Sequence, residues 1–210
     1  MSLWSRVRHF FRSRRAEALH ELAPSLGLKY RRRDSLGLLN LLKDFHLFSR
    51  GHSKRITNIL WKDDVGKDVK VRVFDYRYTI GGGQSSQTIS QTVFFVYSKE
   101  LGLPQFYLKP EHLFHKISAW LGREDIDFIA YPKFSETYFL KGEDEDLVRH
   151  TFSENVLHYF TSEQDWHVEG INYFLIVYRG GKKLKPDVVQ RFYGKGLEIY
   201  DLLKEEGFNI

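Results

Sequence analysis

A chain of 210 residues, 42% apolar and 16% aromatic, is long and hydrophobic enough to bury a core, which excludes a disordered chain. It has no cysteine, which rules out disulfides, thiolate metal sites and a thiol nucleophile and suits a reducing compartment. The net charge of +5 is local: residues 1–33 hold nine Lys and Arg against Glu17 and Glu21, whereas the rest holds 23 against 25 Asp and Glu. Charge concentrated at one end points to a polyanionic surface. No run approaches the length of a membrane-spanning helix, and charges interrupt the N-terminus too often for a secretory signal, so the expected location is cytoplasmic.

Leu3, Val7, Phe10, Phe11, Leu19 and Leu22 recur at steps of three or four with Arg6, Arg12 and Arg15 between them. This predicts a basic amphipathic helix ending near Pro24 and Gly27. Residues 30–34 then read as an exposed basic link, and Leu36 to Phe48 as a short apolar helix closing against Gly51. From Lys54 the period becomes two. Three strands, over 54–61, 69–78 and 88–97, are separated by turn residues at 63–68 and 81–86, which predicts an antiparallel meander.

A short strand is expected at Gln105–Leu108, followed by a helix from Pro110 carrying Leu113, Phe114, Ile117 and Trp120. Residues 126–131 and 137–141 read as extended. The acids at 143–146 suit the first turn of a helix running to about Phe160, where the macrodipole favours negative charge. Strands follow at 166–168 and 173–178, the second nearly all apolar and hence central, and a helix over 186–206 closes the chain. The fold class is α+β: a mainly antiparallel sheet with packed helices, preceded by a basic amphipathic N-terminal helix. Residues 1–35 form a basic amphipathic arm, and residues 36–210 a single α+β domain.

The stretches Phe74-Asp-Tyr-Arg-Tyr78, Gln91-Thr-Val93, Leu108-Lys-Pro-Glu111, Asp125-Ile-Asp-Phe128, Phe134-Ser-Glu-Thr-Tyr138 and Gly142-Glu-Asp-Glu145, with Asn58-Ile-Leu, Leu103-Pro and Val148-Arg149, resemble a family of bacterial hypothetical proteins. The resemblance covers about residues 54 to 205. It is carried by turn, aromatic and core positions, so it implies a fold and no assigned activity. Many relatives in that family carry membrane segments before this region. A basic helix stands there in this chain, which is compatible with attachment to a membrane surface.

The N-terminal stretch is the strongest candidate site. Trp4 and Phe11 on one side of a helix, with Arg6, Arg8, Arg12, Arg14 and Arg15 around them, can settle at the headgroup boundary, and Arg31, Arg32 and Arg33 extend the positive charge. The same letters fit a helix docked on the domain with its arginines in water. They also fit a nucleic-acid contact with Tyr30 stacking on a base, although the acidic body and the absence of a recognition motif weigh against it.

Gly81, Gly82, Gly83 and Gln84 lack the Lys-Ser/Thr of a phosphate loop and read as a hairpin tip, a candidate partner-binding loop. His112 and His115, three apart on a helix, are weak metal candidates with no further ligands at suitable spacing. Asp125 and Asp127, on one side of an extended segment, and Asp75 are the carboxylates on which a hydrolase would rely. Each also fits a structural role, and no nucleophile motif is present.

These readings favour a non-enzymatic interaction or scaffold module at the periphery of the inner, cytoplasmic face of a membrane. The sheet edge or the 81–86 hairpin would face a protein partner, and no cofactor is expected. The alternatives are a nucleic-acid binder using the same arm and an unrecognised hydrolase using the carboxylates. The oligomeric state is left open.

Overall fold

The computed structural model describes residues 3–111 and 125–206, with side chains from Arg14 onward, Gln84 excepted. An eight-stranded antiparallel sheet runs through the molecule, and seven α-helices are present among the described residues. The α+β expectation holds. The strands are β1 (Lys29–Arg33), β2 (His52–Asp64), β3 (Val69–Ile80), β4 (Gln87–Tyr97), β5 (Leu103–Pro110), β6 (Tyr138–Gly142), β7 (His167–Asn172) and β8 (Phe174–Tyr178). Their order across the sheet is β1-β2-β3-β4-β8-β7-β5-β6. The predicted meander is present as β2, β3 and β4, and the apolar strand β8 is central, between β4 and β7.

Both faces of the sheet are covered, which explains why β4 reads Val93-Phe94-Phe95-Val96 with every residue buried. On one face Val71, Val73, Phe94, Val96, Leu175 and Val177 pack in the principal core. The helices of that face are α1 (Leu3–Ser25), α4 (Pro132–Thr137), α5 (Glu145–Thr151), α6 (Glu154–Ser162) and α7 (Pro186–Glu205). Helix α7 has Pro at its start and buries Val189, Phe192, Gly196, Ile199, Tyr200 and Leu203, one stripe at helical spacing. On the other face Phe74, Tyr76, Tyr78, Val93, Phe95 and Ile176 form a second core under Leu38, Leu42, Phe45, Leu47 and Phe48.

The structure departs from the sequence-based expectation in four places. Residues 29–33, expected as an exposed link, form strand β1, with Lys29 opposite Trp61 and Arg31 opposite Ile59. The apolar stretch 36–48 is two short helices, α2 (Leu38–Leu41) and α3 (His46–Ser49), because extended Phe45 interrupts it. The helix expected over 143–160 is likewise two, broken at Phe152 and Ser153, with Asp144 capping the first through the Leu147 N–H. Residues 126–131, expected as extended, lead irregularly into α4, and only the Ile126 N–H bonds toward β6, to the Leu140 carbonyl at 2.8 Å. The helix expected from Pro110, with His112 and His115, lies outside the described residues from position 112.

Candidate functional site

Asp75 lies on the helical face of β3, paired in register with Thr57 and Thr92. A bulge in β2 puts Asn58 at φ 53°, and its amide donates to Asp75 Oδ2 at 2.9 Å. Arg15, on α1, grips both carboxylate oxygens, Nε to Oδ2 at 2.7 Å and Nη2 to Oδ1 at 2.6 Å. Thr92 Oγ1 donates to Oδ1 at 3.3 Å, and Lys183 Nζ stands 3.6 Å from Oδ2. Tyr30 in turn donates to Asn58 Oδ1, and Arg15 Nη1 to the Leu184 carbonyl. A forked guanidinium on a buried carboxylate is the strongest pairing these side chains can make. It leaves Asp75 as a clasp joining α1, β2, β3, β4 and the start of α7, without a free lone pair for acid–base work.

Asp125 stands at the far end of the sheet, where its Oδ1 accepts from the Leu140 N–H at 2.9 Å. Burial raises its carboxyl to about 6, opposed by that hydrogen bond and helped by Asp127 and Glu111 nearby. Asp127 is exposed, and its carbonyl accepts from Arg149 Nη1. Strand β3 and strand β6 are five strand spacings apart, about 24 Å at the usual separation. Asp75 and the 125–127 pair therefore cannot act on one substrate. No cluster of three or more metal-ligating side chains occurs among the described residues.

A second polar centre lies on the opposite face, and the sequence reading missed it. Glu169 on β7 is fully buried and accepts from the Tyr178 hydroxyl at 2.8 Å and the Leu47 N–H at 3.1 Å. Burial raises its carboxyl to about 7 against those hydrogen bonds and the more distant Arg50. His46 beside it is lowered to about 4 by burial and by Arg50, Lys109 and Lys141. Tyr107, on β5, packs on His46 at 4.6 Å between ring centroids, and burial pushes its hydroxyl up. This centre ties the 36–50 segment to the sheet. Its one sequence signal was the alternation His167, Glu169, Ile171, which puts an acid on an inward face of a strand.

The third feature is the edge strand itself. On β1, Lys29, Arg32 and Arg33 are exposed and Arg31 is half-buried. Trp61 of β2 lies beneath Lys29 Nζ at 5.0 Å and Arg31 at 5.6 Å, with the buried Arg72 at 5.5 Å. Arg72 is neutralised by Asp63 at 2.6 Å. Asp34, the nearest carboxylate in sequence, is committed elsewhere: it accepts from the N–H groups of Leu36, Leu38 and Leu39 and so caps α2.

Of the residues assigned to the basic contact, the side chains of Trp4, Arg6, Arg8, Phe11 and Arg12 lie outside the described ones. Arg14 is exposed, Arg15 is held by Asp75, and Arg31, Arg32 and Arg33 are in β1. Gly81, Gly82, Gly83 and Gln84 connect β3 to β4 through a short 3-10 turn, exposed at the three glycines, as a hairpin tip requires. No described helix is long and apolar enough to cross a membrane.

Comparison with known proteins returns no matching family model and no matching curated protein. Among solved structures the chain is similar to the mycobacterial trehalose monomycolate transport factor A, TtfA. The identity is 13% and the TM-score 0.62, over 91% of this chain and 93% of that one. At that identity the likeness is one of fold.

Proposed function

We propose that the protein is a non-enzymatic interaction module that sits at the cytoplasmic face of an anionic membrane, attached through the N-terminal part of α1. The observation that carries this reading is the segregation of charge. Seven net positive charges lie in residues 1–33, and Trp4 and Phe11 are interleaved with arginines in the first of them. A helix of that composition gains from apolar burial at the headgroup level and from each cation near anionic lipid. Asp75 is committed to Arg15 and Asn58, and Asp125 accepts from the Leu140 N–H. The exposed Asp127 lies about five strand spacings from Asp75, so the candidate carboxylates form no shared acid–base site, which favours binding over chemistry. The structural neighbour, named as a transport factor, is in keeping with a role in binding rather than catalysis. The resemblance to bacterial proteins with membrane segments ahead of this region points to the same surface.

Sedimentation with vesicles of phosphatidylserine and phosphatidylcholine, against phosphatidylcholine alone, tests the reading. The intact chain is expected to bind the anionic vesicles only. Exchanging Arg6, Arg8 and Arg12 for Gln removes about 3 kcal/mol, roughly a hundredfold in affinity. Trp4→Ser with Phe11→Ser weakens binding even at low salt. An intact chain that stays in the supernatant overturns the membrane reading. Equal binding to RNA and to vesicles, indifferent to Trp4 and Phe11, assigns the arm to polyanions in general.

A further inference from the structure

An antiparallel sheet of this kind has two edges, and the chain treats them differently. Beyond β6, Asp125 accepts from the Leu140 N–H and the Ile126 N–H donates to the Leu140 carbonyl, so that edge is partly closed. Beyond β1 no strand pairs among the described residues, and its backbone makes no hydrogen bond there except in the ladder with β2. In such a strand alternate residues turn their N–H and C=O groups away from the neighbour, leaving a row of unused donors and acceptors.

The side chains on that row are unusual. Four of five residues are cations, Lys29, Arg31, Arg32 and Arg33, and none makes an ion pair with a described carboxylate. Two of the cations are held in place: Lys29 and Arg31 lie against Trp61, and Arg31 donates to Ser35 Oγ at 2.6 Å. Alternation puts Lys29, Arg31 and Arg33 on one face of the strand and Arg32 on the other. A flat surface meets only one of those faces. An added strand meets both, because its own side chains alternate in the same way.

We infer that the β1 edge binds an acidic peptide segment of a partner protein as an added ninth strand. Main-chain hydrogen bonds supply the alignment, and Asp or Glu side chains on the segment face the cations of β1. A second copy of this chain is a poor occupant, since β1 against β1 opposes cation to cation, and β6 offers Lys141 and no acid within its span. The inference rests on the reading of the domain as an interaction module and names the surface and the chemistry of its partner.

The probe is a fluorescein-labelled peptide of alternating Glu and Thr, eight residues long, titrated into the full-length protein with anisotropy as readout. Binding is expected to weaken about tenfold in Arg32→Glu with Arg33→Glu, two exposed positions whose change leaves the fold intact. It is expected to weaken by a similar factor when alternate peptide nitrogens are methylated, which removes strand donors and keeps the charge. Amide exchange should slow at residues 29–33 when the peptide is added. Equal binding of the methylated peptide, or indifference to the charge reversal, overturns the proposal. So does a charge reversal that abolishes vesicle binding in a protein that never binds the peptide. The Trp4→Ser, Phe11→Ser protein separates the two readings, because it should lose vesicles and keep the peptide.

Discussion

Glu169 and His46 are neighbours in one buried centre and are displaced in opposite directions. The Glu169 carboxyl is raised to about 7, so the folded state holds its proton more tightly than the unfolded chain does. Its contribution is present below about pH 4.5 and is lost as pH rises through 7. His46, lowered to about 4, favours the neutral ring, so its contribution is present above about pH 6.5 and is lost as pH falls through 4. Between those limits the two slopes oppose each other, and Asp125, raised to about 6 and half exposed, adds a smaller falling contribution. Glu169→Gln keeps acceptors for the Leu47 N–H and the Tyr178 hydroxyl while removing the titration. That variant is expected to match the parent near pH 4 and to exceed it at pH 8 by up to about 3 kcal/mol. Urea unfolding at the two pH values checks it. A difference that is the same at both would mean that Glu169 does not titrate with folding.

At the scale of elements, α7 carries two glycines with different duties. A methyl group at Gly196 would overlap the Phe94 ring on β4, whereas one at Gly194 meets nothing within 4 Å. Gly194→Ala should therefore stabilise the protein by about 0.5–1 kcal/mol through helix propensity. Gly196→Ala should destabilise it by about 1–3 kcal/mol as the helix lifts off the sheet. Thermal melts of the two variants shifting in the same direction would contradict this packing. The same contrast explains what the sequence made legible. Helix α7 and strands β3 and β4 announce themselves because their apolar periods run between clear turn residues. Strand β2 does so despite a bulge at Asn58, through its dense β-branched and aromatic residues. Strand β1 does not, because an edge strand buries little and four cations hide its period. The 36–48 stretch reads as one helix because its leucines are dense. It breaks at Phe45, and the Leu47 N–H bonds to Glu169, a partner 122 residues away that no local pattern reveals. Asp75 was visible as an acid inside an apolar strand, but its commitment to Arg15 appears only once α1 is packed on the sheet.

For the whole molecule, the question is where the basic N-terminal stretch ends and the domain begins. Leu19, Ala23 and Leu28 belong to the principal core, and β1 completes one side of the sheet. Arg15 neutralises Asp75, whose side chain is only 6% exposed. Removing one partner of a buried ion pair costs about 3–5 kcal/mol, a large share of the roughly 5–15 kcal/mol by which domains are stable. Deleting residues 1–33 would strip that partner, a strand and three core side chains together, and is expected to abolish the cooperative thermal transition. Deleting residues 1–13 leaves Arg15 and everything C-terminal to it, and is expected to keep the transition. Circular dichroism melts of the two truncated chains decide between a separable basic arm and a fused one. A cooperative melt in the shorter chain would show that α1 and β1 are dispensable to the fold. Loss of the transition in the longer one would show that the first thirteen residues, which hold Trp4 and Phe11, are structural as well. With the expected result, the first thirteen residues are separable from the fold, and the stretch proposed to meet a surface is the first turns of α1. The cations of β1 then belong to the folded sheet, paired with β2, and not to a tether.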